Sequence, residues 1–445
     1  MDKREIRTRR IAWEIMKKSA YRDRRLSDVT AEIFRREGNI INDQDRRFIT
    51  LLVQGTVRLS GRLDWELQQV FVGEFEDLKE SLRILLRLGA YQIFYMDSVP
   101  DYAAVTTTVQ LAKRIHSNLG GLTNALLRTL INLEEKNIPD ENTPIETLAE
   151  YLSHPEWLIN KWIKDKSFEE ARLLAEWNNE NPMLWFRINK REYTATKFKN
   201  YLKKHDITFE QHSLLKEFFQ TSKHQELIKS DIFREGKISV QDPAAGLVVH
   251  LLAPKKNETI TDACAAPGGK TSYMAELMNN TGAITAFDFS EKRYDRLNNT
   301  ISRLNITNTE TDIIDITEDS IDMADKLLLD VPCSGTGVMA KRADIRWRRN
   351  IDEILEMHLL QRKILWAASN FINPGGVLVY STCSVEPEEN WMVIEAFLKS
   401  HPDFKVENAK DFVPEDFVDE NGAIFTFPPT HKIDGGFAVR LKKDA

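Results

Sequence analysis

An all-α bundle, a small α+β region and a doubly wound α/β domain, in that order, form the multidomain architecture that this 445-residue sequence predicts. Three observations carry it. Apolar residues recur at three- and four-residue spacing over residues 1–137. A polar stretch rich in Pro, Asn and acids, NIPDENTPIE at 137–146, interrupts that pattern. From about residue 236 onward, apolar β-rich runs alternate with amphipathic helices.

In the first region the helical stripe reads Ile6, Ile11, Ile15 and Met16, then Leu78, Leu82, Leu85, Leu86 and Ile93. Breaks are short, at Gly73, Pro100 and Gly120–Gly121, so six or seven packed helices are expected. Trp13, Trp65, Phe71 and Tyr91 fit the stripe and read as core. Helix resumes over 147–177, with Leu158, Trp162, Phe168 and Leu173 as its apolar face. Residues 183–235 mix a strand, MLWFRIN, with a basic helix, KFKNYLKKHDI. That region is too small for an independent enzyme and reads as an α+β substrate-binding part. The expected boundaries are 1–139, 140–235 and 236–445. In the last region ETITDAC, AITAFDF, TETDIID, KLLLDVP and GGVLVYST read as strands of a mostly parallel sheet. Such sheets gather functional groups beyond the carboxyl ends of their strands.

A hydrophobic fraction of 42% supports real cores. No apolar run reaches membrane-span length, and MDKREIRTRR is not followed by the apolar stretch of a secretory signal. Three cysteines make no disulfide framework and suit a reducing cytoplasm. The net charge of −7 is unevenly spread. Residues 1–25 carry ten Lys/Arg against four acids, and 187–204 carry seven against one. A third basic run, KRADIRWRR, spans 341–349, while 407–420 is acidic. Any one run reads best as a solvated helix face. Three together, one with Trp347 among arginines, shift the reading toward a phosphate backbone.

The chemistry concentrates in three motifs, each holding one cysteine: DACAAPGGKT (Cys264), DVPCSGTG (Cys333) and YSTCSVEPEEN (Cys383). In the first, a strand enters APGGK and then a helix; Gly268 and Gly269 permit a tight turn and close approach to a ligand. Asp288 ends the next strand and could accept hydrogen bonds from both ribose hydroxyls of a nucleoside. The spacings for a dinucleotide or a P-loop are absent, so a nucleoside without pyrophosphate fits, and S-adenosylmethionine is the common one. Asp315 is expected to close the third strand, with Asp312 as its rival, and Asp330 the fourth. The other two motifs place a thiol just after an apolar strand. A thiolate added to carbon 6 of a pyrimidine turns carbon 5 into a nucleophile that can take a methyl group. The base must first be unstacked. A free cysteine is more often a small buried hydrophobe. Pro332, Gly335 and Gly337 around one thiol, and Ser381, Thr382 and Ser384 around the other, are not core-strand surroundings. Cys264 reads equally well as packing.

DACAAPGGKT, LLLDVPCSGTGV, DIRW and GGVLVYSTCSVEPEEN, in this order, resemble the RNA 5-methylcytosine methyltransferases. VPDYAAVTTTVQLAKRI and GGLTNALLRTL resemble the NusB-type RNA-binding domain, although threonines stand at 106–108 where relatives often carry Asn or Glu. Together they are similar to the bacterial RsmB family, which methylates a cytosine of small-subunit ribosomal RNA. The resemblance implies a Rossmann-like catalytic domain and S-adenosylmethionine as the cofactor, with no metal. It implies that Cys264, Ala265, Ala266, Pro267, Gly268, Gly269 and Lys270, with Asp288, Asp315 and Asp330, bind that cofactor. It makes Cys383 the nucleophile and Cys333 the group that assists release, while Asp330 could also meet the cytosine N3 edge. The partner it implies is small-subunit ribosomal RNA, bound by a cytoplasmic monomer. Three other readings stay open. They are a non-catalytic RNA-binding or antitermination-type protein, a methyltransferase for exocyclic or protein nitrogens, and a 5-methylcytosine enzyme of transfer RNA. The intact thiols, the PCSG in place of a Pro-Pro-Tyr motif and the NusB-like region disfavour these in turn.

Overall fold

The computed structural model describes residues 3–19, 24–115, 117–133 and 138–445. The basic run at 1–25 lies partly outside them, as does Asn137 at the start of the polar stretch. The chain forms two compact units. One runs to Asn181 and also takes in Met339–Asn350; the other comprises Pro182–Val338 and Ile351–Ala445.

The first unit is helical. Before the polar stretch come α1 (Lys3–Ser19), α2 (Leu26–Glu37), α3 (Asp43–Arg58), α4 (Ser60–Gln68), α5 (Glu80–Tyr95), α6 (Asp101–Ile115) and α7 (Leu119–Ile131). After it come α8 (Ile145–Tyr151), α9 (Glu156–Asp165) and α10 (Phe168–Asn179). A capping box starts α3: the Asn42 side chain accepts from the Asp45 amide at 2.9 Å and Asp45 accepts from the Asn42 amide at 3.3 Å. Gly55 lets α3 approach α5, since a Cβ there would meet the Tyr91 ring at 2.0 Å. Tyr91 is core as expected, whereas Trp13, Trp65 and Phe71 are half-buried. Trp13 keeps a polar edge, its Nε1 donating to the Ser81 carbonyl at 2.9 Å. On α10 the buried position is Leu174, and Leu173 is exposed, one residue off the expected stripe.

The segment 339–350 corrects part of the reading of KRADIRWRR as a solvated run: Arg342 is exposed, and Lys341, Arg348 and Arg349 are half-buried, but one arginine is not at the surface. Arg346 is completely buried in the helical unit. Its guanidinium donates to the carbonyls of Arg58 (3.1 Å), Ser153 (3.0 Å) and Asn178 (2.7 Å) and to Asn179 Oδ1 (2.6 Å). Trp347 Nε1 donates to the Val57 carbonyl at 2.7 Å, and Arg58 donates to the Ala340 carbonyl at 3.2 Å. The planar fork satisfies the carbonyls that α3 and α10 leave open at their ends.

The second unit holds two sheets. The smaller is antiparallel, in the order β2-β3-β1-β4, from β1 (Leu184–Ile188), β2 (Glu210–Gln211), β3 (Phe218–Thr221) and β4 (Ile238–Val240). The helix Ala195–Lys204 buries Phe198 and Leu202 in the core beside this sheet and exposes Lys197, Lys203 and Lys204. The basic run at 187–204 is therefore not all surface: Arg187 is fully buried against Glu276.

The larger sheet contains β5 (Thr259–Asp262), β6 (Ala283–Phe287), β7 (Thr309–Asp312), β8 (Ala324–Asp330), β9 (Ile372–Thr382), β10 (Phe404–Glu407), β11 (Ile424–Thr426) and β12 (Gly436–Lys443). Its order is β10-β12-β9-β8-β5-β6-β7, with β11 pairing β12. The run from β9 to β7 is parallel, and β10, β11 and β12 are antiparallel. Strand order reverses between β5 and β8, which opens a crevice at their carboxyl ends.

Replacing Arg346 with Ala takes the guanidinium from the Ser153 and Asn178 carbonyls, while the Arg58 carbonyl keeps the Ser153 hydroxyl. The cost is about 3 kcal/mol, and Lys, lacking the fork, recovers little of it. Thermal unfolding is expected to show a lowered Tm for both variants; an unchanged Tm for Arg346→Ala would contradict the clamp.

Candidate active site

The crevice between β5 and β8 is where the three cysteine motifs arrive. The residues after β5 form a loop that turns back toward the end of β6. The Ala265 amide donates to the Phe287 carbonyl at 3.0 Å, and the Ala266 amide to Asp288 Oδ2 at 3.3 Å. Pro267 is the exposed tip of the loop. Gly268 adopts φ +95°, and a Cβ there would press on Leu297 at 2.9 Å; only glycine makes this turn cheaply. Helix Gly269–Leu277 then begins, and Thr271 Oγ1 closes the loop by donating to Asp262 Oδ2 at 2.7 Å.

Asp288 is almost wholly buried. Burial raises its pKa, opposed by the Arg293 guanidinium at 3.2 Å and by the Ala266 amide. Its second oxygen, Oδ1, is buried without a hydrogen-bond partner among the described residues. A buried acceptor without a donor, beside a glycine-turned loop, fits the paired hydroxyls of a ribose. Phe289 follows with an exposed ring, and the Arg293 guanidinium lies 5.8 Å from its centroid. Neither residue stood out in the sequence, where Phe289 reads as a strand residue and Arg293 as one of several helix charges.

Asp315 does not close the third strand: β7 ends at Asp312. Asp315 Oδ1 accepts from the Thr317 amide at 2.9 Å and the Thr317 hydroxyl at 2.8 Å, so it organises the turn after the strand. The alternation in TETDIID allows either end point, and the pairing with β6 selects the earlier one.

The two remaining motifs meet. Strands β8 and β9 are parallel neighbours, with Asp330 opposite Ser381. Cys333 Sγ and Cys383 Sγ are 3.1 Å apart, and the Cys383 amide lies 3.4 Å from Cys333 Sγ. The hydrogen bond to Cys383, then burial, push the Cys333 thiol well up. Lys270 reaches the same end of the sheet: its Nζ is 2.6 Å from Asp330 Oδ2, while Asp330 Oδ1 accepts from Ser381 at 3.0 Å. Burial opposes the Lys270 charge, but Asp330 and the nearby Cys383 raise its pKa on balance. Cys264 stands apart. It packs with Phe287, Leu329 and Tyr380, and burial, then the acids at 288 and 262, push its thiol well up. Glu389, inside the Cys383 motif but given no role there, is fully buried and hydrogen-bonds the residue after each thiol.

Asp262, at the end of β5, is raised by burial from 3.8 to about 7, with Thr271 opposing and the Asp330 charge adding to the rise. A raised folded-state pKa favours the native state at low pH. That contribution is lost as pH climbs from about 4 toward 7, at up to about 1.4 kcal/mol per pH unit. The Tm of Asp262→Asn relative to the parent is expected to rise across this window. A gap that stays constant with pH would contradict the assignment.

Residues 249–442 match the family described as 16S rRNA methyltransferase RsmB/F, residues 6–132 the NusB family, and residues 154–224 the RsmF/B-like ferredoxin-like domain. The chain is 31% identical over 419 residues to the probable ribosomal RNA small subunit methyltransferase B of Bacillus subtilis, covering 92% of each. Its identity to the Synechocystis protein of the same description is 35%, covering 91% of this chain and 92% of that one. The ribosomal RNA small subunit methyltransferase B of Yersinia pestis is 32% identical, over 82% of this chain and 84% of that protein. Among solved structures, PH0851 superimposes with a TM-score of 0.80 at 27% identity, covering 100% of this chain and 99% of that one. NSun6 from Pyrococcus horikoshii, solved with SFG, shares the fold at 22% identity and a TM-score of 0.59, over 65% of this chain and 98% of that one. The family matches and these relatives agree: the chain belongs to the ribosomal RNA small subunit methyltransferase B family, whose cofactor is S-adenosylmethionine.

Proposed function

We propose that this protein methylates carbon 5 of a cytosine in 16S ribosomal RNA through a covalent bond between Cys383 and carbon 6. The observation that carries the reading is the pair of thiols, 3.1 Å apart at adjoining strand ends, beside the Lys270–Asp330 ion pair. S-adenosylmethionine supplies an electrophilic methyl group when bound. The residues that would hold it are Cys264 to Lys270 and Asp288, with Asp330 at the border of the base pocket and Asp315 at the edge of the site. Asp288 Oδ1, the buried acceptor, would take the ribose hydroxyls.

Cys383 would add to carbon 6 as a thiolate, which makes carbon 5 an enamine carbon able to take the methyl group. The Lys270 ammonium favours negative charge on the sulfur and on the ring as the bond forms. Loss of the carbon 5 proton and expulsion of the Cys383 sulfur then restore the aromatic ring. Cys333, in contact with Cys383, is assigned to that release. With Asp330 Oδ2 already engaged by Lys270, the two act on the base edge as a pair. We assign 1–139 to RNA binding by a NusB-like domain, 140–235 to further RNA contacts and 236–445 to catalysis, in a cytoplasmic monomer.

Nucleoside mass spectrometry of 16S RNA treated with the protein is expected to show 5-methylcytidine; methyl on the exocyclic nitrogen would overturn the reading. In the same assay Cys383→Ala loses methyl transfer entirely, and full activity would end the proposed mechanism. Cys333→Ala accumulates an RNA–protein adduct that survives a denaturing gel, and absence of that band refutes its release role. Asp288→Ala weakens S-adenosylmethionine binding about tenfold or more in calorimetry, through loss of a charge-assisted hydrogen-bond pair. Unchanged affinity would remove Asp288 from the cofactor site.

A further inference from the structure

The carboxylate of Glu389 sits where no catalytic role reaches it, yet it touches the residue after each active-site thiol. Glu389 is fully buried and forms no ion pair among the described residues. One oxygen, Oε1, accepts from the Ser334 amide at 2.7 Å and from Gln361 Nε2 at 2.9 Å. The other, Oε2, accepts from the hydroxyls of Ser334 and Ser384. Ser334 follows Cys333, and Ser384 follows Cys383. Gln361 also donates to the Pro332 carbonyl at 2.9 Å, just ahead of Cys333. The backbone of Glu389 is itself pinned, its carbonyl accepting from the Tyr380 hydroxyl at 2.7 Å.

Burying a lone carboxylate is costly unless every lone pair is engaged. Here four donors engage it, and three of the four come from the two cysteine loops. The loops also bond directly, through the Gly337 amide to the Cys383 carbonyl at 3.1 Å and through Thr336 Oγ1, which accepts from the Val385 amide at 3.1 Å. The Ser334 and Ser384 hydroxyls also lie 3.2 Å apart, and Glu389 Oε2 accepts from both of them, so its carboxylate holds that junction from one side.

We propose that Glu389 is a positioning residue that sets the distance between the Cys333 and Cys383 sulfurs and thereby the coupling of attack to release. The proposal rests on the two-thiol reading above, but thiol geometry can be read without RNA. Diamide takes two hydrogens from a pair of close thiols, forming a disulfide and leaving the reduced hydrazine. In the full-length protein the chain's three thiols should fall to one, counted after denaturation, as Cys333 and Cys383 join. Glu389→Gln keeps an oxygen for the Ser334 amide and an amide group for the hydroxyls, so it is expected to oxidise at close to the parental rate. Glu389→Ala and Glu389→Asp, which cannot span both loops, are expected to form the disulfide about tenfold more slowly. Their kcat should fall between about tenfold and 100-fold, as a misplacement near 1 Å does, with KM for S-adenosylmethionine little changed. Parental disulfide rate and kcat in Glu389→Ala would overturn the proposal, as would loss of S-adenosylmethionine affinity in step with kcat. If Glu389→Ala does not fold, Ser384→Ala, which removes one donor, must show an intermediate disulfide rate; a parental rate there also overturns it. A moved disulfide rate with no 5-methylcytidine from any variant or the parent would leave Glu389 in its place and refute the reaction instead.

Discussion

The parallel pairing of β8 with β9 is the constraint on which the rest of the site depends. Its register sets Leu329 against Tyr380 and Asp330 against Ser381, and the ladder continues when the Val331 amide bonds to the Ser381 carbonyl at 3.0 Å. The chain leaves both strands at the same height, so two cysteines 50 residues apart arrive side by side. A slip of one residue would turn every side chain of a strand to the opposite face, separating Asp330 from Ser381 and from Lys270. Apolar burial holds the register: Leu327, Leu328, Leu329, Leu378, Val379 and Tyr380 are all fully enclosed.

Charge is arranged around that register with little to spare. Asp262, Asp288 and Asp330 end or follow three strands of one sheet; burial raises Asp262, and the charges of the other two add to the rise. Lys270 and Arg293 are the nearby cations, and each is committed, to Asp330 and to Asp288. Burial, then the same acids, push the Cys264 thiol well up; it packs in the core, apart from the two thiols that meet at the ends of β8 and β9. In the proposed reaction that division matters: one sulfur attacks, one assists, and the third packs.

Much of this was legible in the residues. The alternation after residue 236, the glycine turn at 268 and the thiols after two apolar strands each rest on local rules, and each is found where those rules put it. What was not legible depends on distant partners. Arg346 looks like its neighbours in KRADIRWRR, but the carbonyls it satisfies belong to residues 58, 153 and 178, which no local pattern links to it. Glu389 sits in EPEEN, the tail of the Cys383 motif, where it was given no role, and its burial follows from a loop 55 residues away. Asp315 and Leu173 were misplaced by register, the quantity that side-chain periodicity resolves least well at the end of an element.

In the proposed reaction Cys383 bonds to carbon 6 of the target base. A 16S RNA fragment carrying 5-fluorocytidine at the target allows addition and methyl transfer but blocks loss from carbon 5, so the bond to protein persists. Incubation with S-adenosylmethionine, digestion and peptide mass analysis should place the methylated fluorocytosine on the peptide containing Cys383. The nucleotide on Cys333, or no covalent species under conditions that methylate ordinary RNA, would contradict the account.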